Sequence, residues 1–210
     1  MLKLSNKTKI YLLLLETGFV IFTLILGVFL VDTGDTKILA KNLLYQFASL
    51  FLNSFIYINI YTINKNFKIS SILKFVIITL TFFSNLVLYH IPLKLFLNPE
   101  IFKIIDSVID VLTVPFIYFY YKGFCVLSKD VINNITLFKK WNFLLIIKVI
   151  LTVFSYIFTA IFNTNFIKDA IIQNGVIAIM ALLLSFGSMI FVLVIGILEI
   201  IYIIKTAKAL

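Results

Sequence analysis

Three ionisable residues, Glu16, Lys148 and Glu199, interrupt long apolar stretches of this 210-residue chain. A charged side chain in hydrocarbon costs about 2.5–3.5 kcal/mol, so each of these residues is a candidate for a functional role. All three lie at a similar distance from lysine-rich segments, and we expect them to form one charge cluster that clamps three helices or passes protons. Two simpler interpretations stay open, because Lys148 can extend its ammonium group to lipid headgroups and Glu199 can lie beyond the hydrocarbon.

A second group of ionisable residues is Asp106, Asp110 and His90. The i, i+4 spacing of the two aspartates places both carboxylates on one face of a helix. Pro115 cannot donate a backbone hydrogen bond, and it frees the carbonyl of Val111 beside Asp110. His90 is expected at the same depth, so the sequence predicts an intramembrane ion or proton site. The alternatives are an interfacial, solvated His90 and an Asp106 that lies in the headgroup layer.

The composition indicates which kind of element must position these residues. Hydrophobic residues make up 62% of the chain and charged residues 13%, with a mean hydropathy of +1.15. A soluble domain is about 45–50% apolar and about 25% charged, and an apolar helix needs about 20 residues to cross a bilayer. We therefore predict an all-α fold, a single membrane domain over residues 1–210 with about six transmembrane helices. The predicted spans are approximately 10–31, 43–63, 75–91, 104–121, 143–162 and 176–204.

The lysines predict the orientation of this helix bundle. Every basic residue is a lysine, and twelve of the 18 lie before the first span, in the second and fourth connections or in the C-terminal tail. Short basic segments are retained in the cytoplasm. The sequence therefore predicts a multi-pass protein of the cell membrane with both termini cytoplasmic, whose first span remains as a signal anchor.

The fourth connection, residues 122–142, has apolar residues at helical spacing and a polar stripe opposite them that includes Lys129. This pattern predicts a cytoplasmic amphipathic helix that lies on the inner leaflet. Lys139 and Lys140 would face anionic lipid, and Trp141 would lie at headgroup depth. The alternative role of the same helix is to dock a cytoplasmic partner such as an ATPase.

One further polar feature is a ridge in the second span, where Gln46, Ser49 and Asn53 recur at helical spacing. We favour hydrogen bonding between helices for this ridge over a path for a solute. Small residues in the sixth span likewise indicate close packing of helices.

The residue types also exclude several chemistries. Nucleic-acid binding is not expected, because arginine, the residue best suited to phosphate and guanine, does not occur. With one cysteine, Cys125, and one histidine, the chain cannot build a cysteine or histidine metal cluster. HExxH, GxSxG and P-loop motifs do not occur either, so we expect neither an enzyme nor a cofactor.

Two resemblances to enzyme families are limited. The size and the six predicted spans resemble the membrane endopeptidases that process signalling peptides with a His/Cys pair, but the predicted topology puts Cys125 and His90 near opposite faces of the bilayer. The sequence Asp106-Ser-Val-Ile-Asp110 resembles one aspartate-rich motif of intramembrane prenyltransferases, which bind diphosphate through Mg²⁺. The partner motif of that family does not occur, so no residue role is carried over.

The expected function follows from the topology. We expect an integral membrane protein of transport type, such as the permease subunit of an exporter or an immunity-type membrane protein, that moves or gates a small solute, ion or peptide. Its expected partners are the lipid bilayer and a cytoplasmic ATPase or another membrane subunit. The alternatives are a non-catalytic scaffold subunit of a larger membrane complex and a metal-dependent intramembrane enzyme that uses Asp106 and Asp110.

Overall fold

Six α-helices, and no strand, form the part of the chain that the computed structural model describes. Its backbone covers residues 4–29, 35–89, 99–162 and 175–210, and its side chains residues 4–19, 45–84, 100–157, 187 and 190–210. The helices are α1 (Asn6–Phe29), α2 (Asp35–Ile60), α3 (Lys65–Tyr89), α4 (Pro99–Val126), α5 (Ile135–Phe162) and α6 (Gly175–Ala209). A five-residue π-helical turn, Leu127–Val131, follows α4.

The predicted all-α class and the six helices in their predicted order are confirmed for the described residues. The helices are longer than the apolar spans, and α3 and α5 begin well before positions 75 and 143 because asparagine caps start them earlier. The side-chain oxygen of Asn64 accepts a hydrogen bond from the Phe67 N–H at 3.0 Å, and that of Asn134 accepts one from the Leu137 N–H at 2.9 Å. Each cap satisfies a donor that the first helical turn leaves unpaired.

The predicted separate amphipathic helix over residues 122–142 is wrong. The segment is divided among the end of α4, the π-helical turn and the start of α5. Asn133 adopts a left-handed conformation with a φ of 54°, which asparagine tolerates better than most residues. The Asn134 N–H donates to the Ser128 carbonyl at 2.9 Å and closes the helical turn. The chain therefore reverses direction here instead of continuing along a surface.

Trp141 lies inside the protein and not on its surface. Its side chain is 0% exposed, its ring stacks on Phe124 with the centroids 3.9 Å apart, and its Nε1–H donates to the Thr206 hydroxyl at 2.9 Å. A buried indole N–H usually has a hydrogen-bond partner, and Thr206 provides it here. Of the lysines predicted beside it, Lys129 and Lys139 are exposed, while the Lys140 ammonium group lies 5.7 Å from the Tyr202 ring centroid.

The start of α1, the two described connections and the end of α6 lie at one end of the bundle. The Lys9 ammonium group donates to the Thr62 hydroxyl at 2.7 Å and joins α1 to the α2–α3 turn. The Asn64 amide donates to the Gly123 carbonyl at 3.0 Å and joins that turn to α4. The Trp141 indole joins α5 to α6. The buried core therefore lies at this end, where the largest fully buried side chains include Trp141, Phe67, Phe124, Ile10, Leu13, Ile60 and Ile203.

The surfaces of the helices are apolar. Each of the six helices has a large hydrophobic side chain that is more than half exposed: Leu15, Phe51, Phe83, Val111, Phe143 and Ile190. Within the described residues, Lys65–Ser84 and Ile190–Ala209 are long and apolar enough to cross a membrane. These two segments support an association of the protein with a membrane.

Cys125 provides a test of the core at the end of α4. The side chain is 1% exposed, and burial raises the pKa of its thiol to about 11 against the opposing effect of the Lys122 ammonium group. Because only the thiolate is nucleophilic, we expect the folded protein in mild detergent to resist maleimide at pH 7.5 and to react on unfolding. The unfolded thiol ionises near pH 9, so its contribution to stability should be complete below pH 9 and should be lost as the pH rises towards 11.

The measurement is the mass increase of the intact protein after timed maleimide exposure, with and without denaturant. Labelling of the folded protein at the rate of the denatured protein would contradict the burial of Cys125.

Candidate functional site

All six helices contribute to one internal cavity of about 380 Å³. Its wall contains two carboxylates and two ammonium groups, one from each of α1, α3, α5 and α6, together with three tyrosines from α2 and α4. These residues are Glu16, Lys74, Lys148, Glu199, Tyr57, Tyr120 and Tyr121. We name this space the ion-paired cavity.

The first ion pair joins α1 to α3. The Lys74 ammonium nitrogen lies 2.9 Å from Glu16 Oε1, and the Tyr57 hydroxyl donates to Glu16 Oε2 at 2.9 Å. Lys74 also lies 5.5 Å from the ring centroid of Tyr57 and 5.0 Å from that of Phe116. Both carboxylate oxygens of Glu16 thus have a partner, and aromatic faces partly replace water around Lys74.

The second ion pair joins α5 to α6. The Lys148 ammonium nitrogen lies 3.2 Å from Glu199 Oε2, with side-chain exposures of 26% and 15% respectively. Lys148 also lies 5.9 Å from the Tyr121 ring centroid. Each helix that contributes a charge to the cavity therefore brings it next to the opposite charge from another helix.

The structure brings Glu16, Lys148 and Glu199 to the same cavity but pairs Glu16 with Lys74 and not with Lys148. Lys74 was missed because it directly precedes the apolar run that begins at residue 75 and resembles a loop lysine in sequence. In the structure α3 begins at Lys65, so Lys74 lies about 14 Å along the helix. The sequence signal for this early start of α3 is the Asn64 cap, which precedes the first helical residue, Lys65.

A second cavity of about 210 Å³ shares Glu16 and Lys74 with the first. The polar ridge of α2, formed by Gln46, Ser49 and Asn53, lines it. The Asn53 amide donates to the Ser49 carbonyl at 2.8 Å, while its buried Oδ1 accepts no hydrogen bond from the described residues. The ridge therefore faces this cavity next to the first ion pair, and among the described residues Asn53 has no hydrogen bond to another helix.

The second predicted site consists of Asp106, Asp110 and His90. Asp106 and Asp110 are both exposed on α4, and α4 continues through Pro115 without interruption. His90 lies outside the described residues. No group of three or more His, Cys, Asp or Glu side chains that could hold a metal ion occurs in the part of the chain that is described.

The two carboxylates and two ammonium groups of the ion-paired cavity have no net charge, and part of their hydrogen-bonding capacity is unused. An ammonium group has three donors and a carboxylate has about four acceptor positions, so each pair retains capacity to bind a further polar group. Ion pairs of this kind can exchange partners when a charged or zwitterionic ligand enters. The arrangement is thus suited to reversible binding of a polar ligand.

No model of a known protein family, no curated protein and no solved structure matches this chain. The described residues form an all-helical protein with an apolar core, two ion pairs on a cavity wall and apolar side chains exposed on every helix. Proposals about its function accordingly rest on its own residues.

Proposed function

We propose that the chain is a multi-pass cell-membrane protein whose six helices cross the bilayer with both termini in the cytoplasm. Exposed apolar side chains on every helix support this proposal, because lipid tails solvate them better than water. The bundle end that holds the start of α1 and the end of α6 is also the lysine-rich end, as expected for a cytoplasmic face. Its described lysines are Lys7, Lys9, Lys65, Lys68, Lys122, Lys129, Lys139, Lys140, Lys205 and Lys208.

We propose further that the protein is a small transport-type component and that the ion-paired cavity binds its solute. The observation that carries this proposal is that two ion pairs, Glu16–Lys74 and Lys148–Glu199, lie on the wall of one cavity in the helix bundle. A buried ion pair is seldom more stabilising than apolar packing of similar volume. Two partly buried pairs beside open space therefore favour a role in binding over a role in stability alone.

The Glu16–Lys74 pair belongs to the walls of both cavities. A polar solute that passes from one cavity to the other beside this pair would compete for its hydrogen bonds and charges. We therefore propose that the pair acts as the internal gate. Lys129 and Lys139, exposed at the lysine-rich end, are available to an energising subunit such as an ATPase.

The test is flux through proteoliposomes that contain the purified protein. Wild-type vesicles are offered labelled small cations, anions, amino acids and short peptides one at a time. For the solute that moves, we expect Glu16→Gln to lower the rate at least about tenfold, because the variant loses a charge-assisted bond worth about 1.5–3 kcal/mol. Glu100→Gln is the matched control, since Glu100 lies outside both cavities and 71% of its side chain is exposed, and its flux should equal that of the wild type.

A competing role is that of a scaffold subunit, because both ion pairs join different helices and would also hold the bundle together. In that case the wild-type protein moves no solute of the panel, and a partner co-purifies with it in a fixed ratio. Equal flux for wild type and Glu16→Gln would contradict the assignment of the cavity as the solute site.

A further inference from the structure

The ion-paired cavity has one wall at the surface of the bundle. Val192, Leu193 and Ile197 of α6 line the cavity, and the same three side chains are 58%, 50% and 57% exposed. Side chains that both line a cavity and face the surroundings form the edge of an opening. The cavity therefore opens sideways, past α6, and the lip of the opening is apolar.

The charges on the wall restrict what can enter. Lys74 and Lys148 balance Glu16 and Glu199, so a ligand with a net charge would leave one charge uncompensated in a medium of low dielectric constant. The ligand must also both donate and accept hydrogen bonds to match ammonium and carboxylate groups. A head with one positive and one negative group meets both conditions.

We infer that the cavity binds a zwitterionic amphiphile, a phospholipid whose headgroup carries a primary ammonium and a phosphate. The phosphate contacts the lysines, the ammonium contacts the glutamates, and the acyl chains stay outside along Val192, Leu193 and Ile197. This inference rests on the proposed function, and it names the class of substrate for the same site. The volume of about 380 Å³ lies in the range of about 300–1,000 Å³ of small-molecule sites.

The probe is a short-chain phosphatidylethanolamine, titrated calorimetrically into the purified protein in detergent below the critical micelle concentration of the lipid. Short-chain phosphatidylglycerol, which has the phosphate but not the ammonium, should bind at least about tenfold more weakly. Free glycerophosphoethanolamine, which has the same net-neutral phosphodiester headgroup but not the acyl chains, should also bind at least about tenfold more weakly. Equal binding of either comparison compound would overturn the inference.

Two glycine substitutions localise the binding without changing any charge. Gly196 lines the cavity, and a Cβ built there meets nothing within 4 Å, so the side chain of Gly196→Leu has room to begin and should occupy part of the cavity. Gly187 is the matched control, because it lies in the same helix, is exposed and also has nothing within 4 Å of a built Cβ. We expect at least a tenfold loss of lipid affinity in Gly196→Leu and unchanged affinity in Gly187→Leu.

Unchanged affinity in a folded Gly196→Leu variant would place the lipid elsewhere and overturn the inference. The result is separable from the test of the proposed function. A protein that shows Glu16-dependent solute flux but no preference for phosphatidylethanolamine refutes only the lipid assignment. A protein that binds this lipid in the cavity but moves nothing refutes only transport.

Discussion

Replacing Lys148 by methionine is expected to lower the free energy of unfolding by about 3 kcal/mol. The substitution keeps the side-chain volume but leaves the Glu199 carboxylate, 15% exposed and 3.2 Å from the lost ammonium nitrogen, without its cation. Removing one partner of a buried pair costs about 3–5 kcal/mol, because the remaining charge keeps its desolvation cost. Partial exposure of both side chains to the cavity favours the lower end of that range.

The measurement is equilibrium unfolding in mixed micelles, followed by the fluorescence of Trp141, the single tryptophan of the chain. Lys103→Met is the matched control, since Lys103 forms an ion pair with Glu100 at 3.7 Å in which 78% of its side chain is exposed. Exposed pairs contribute about 0–1 kcal/mol, so this variant should unfold nearly as the wild type does. Equal destabilisation by the two substitutions would show that the Lys148 pair is not specially stabilising.

Gly123→Val is expected to lower the free energy of unfolding by about 3 kcal/mol through overpacking. A Cβ at position 123 would lie 2.9 Å from Cδ1 of Phe67, and Phe67 is 0% exposed. The Phe67 ring cannot easily move, because it packs edge-on against Phe124 with the centroids 5.0 Å apart. The Gly123 backbone is held as well, because its carbonyl accepts the Asn64 amide.

The control for this substitution is Gly18→Val in the α1 helix, where a built Cβ meets nothing within 4 Å. Its effect should stay within about 0.5 kcal/mol. The second substitution Phe67→Leu should restore part of the stability of Gly123→Val by making room for the added methyl groups. If Gly123→Val unfolds like Gly18→Val, the close packing of α3 against α4 is wrong.

The helices themselves were predictable because their signal is local. An apolar run of about 20 residues is incompatible with a loop or a soluble surface, whatever its neighbours are. The same reasoning located Glu16, Lys148 and Glu199, since a charge inside such a run is visible in the sequence alone. Lys74 was missed because it directly precedes the apolar run that begins at residue 75. The Asn64 cap extends α3 towards the N-terminus, and this places Lys74 inside the helix.

The partner of each charge was not predictable from sequence. Pairing depends on how each helix is rotated about its axis and on which helices are neighbours, and no residue spacing encodes either quantity. Glu16 and Lys148 lie on α1 and α5, but the nearest cation to Glu16 comes from α3. The pairing of Lys148 with Glu199 required the contact between α5 and α6, which likewise exists only in three dimensions.

The segment 122–142 shows where periodicity misled. Apolar residues at helical spacing predicted a helix on a membrane surface, but Phe124, Leu127 and Trp141 pack into the core while Val131 and Ile135 stay exposed. The left-handed conformation of Asn133 ends the helical path, so the segment forms a turn between two core helices and not one surface helix. Trp141 illustrates the point, because interfacial and buried tryptophans have the same sequence signature until a hydrogen-bond acceptor such as Thr206 is located.

The most direct test of the ion-paired cavity as the functional site is solute flux through the double variant Lys148→Met/Glu199→Met. Replacing both members of a buried pair by apolar residues of similar volume is typically neutral or stabilising, so the unfolding transition should return to that of the wild type. We expect this folded protein to transport at least about tenfold more slowly than the wild type, because the cavity has lost two of its four charges. A folded double variant with wild-type flux would contradict the account and would leave the pair as a clamp between two helices.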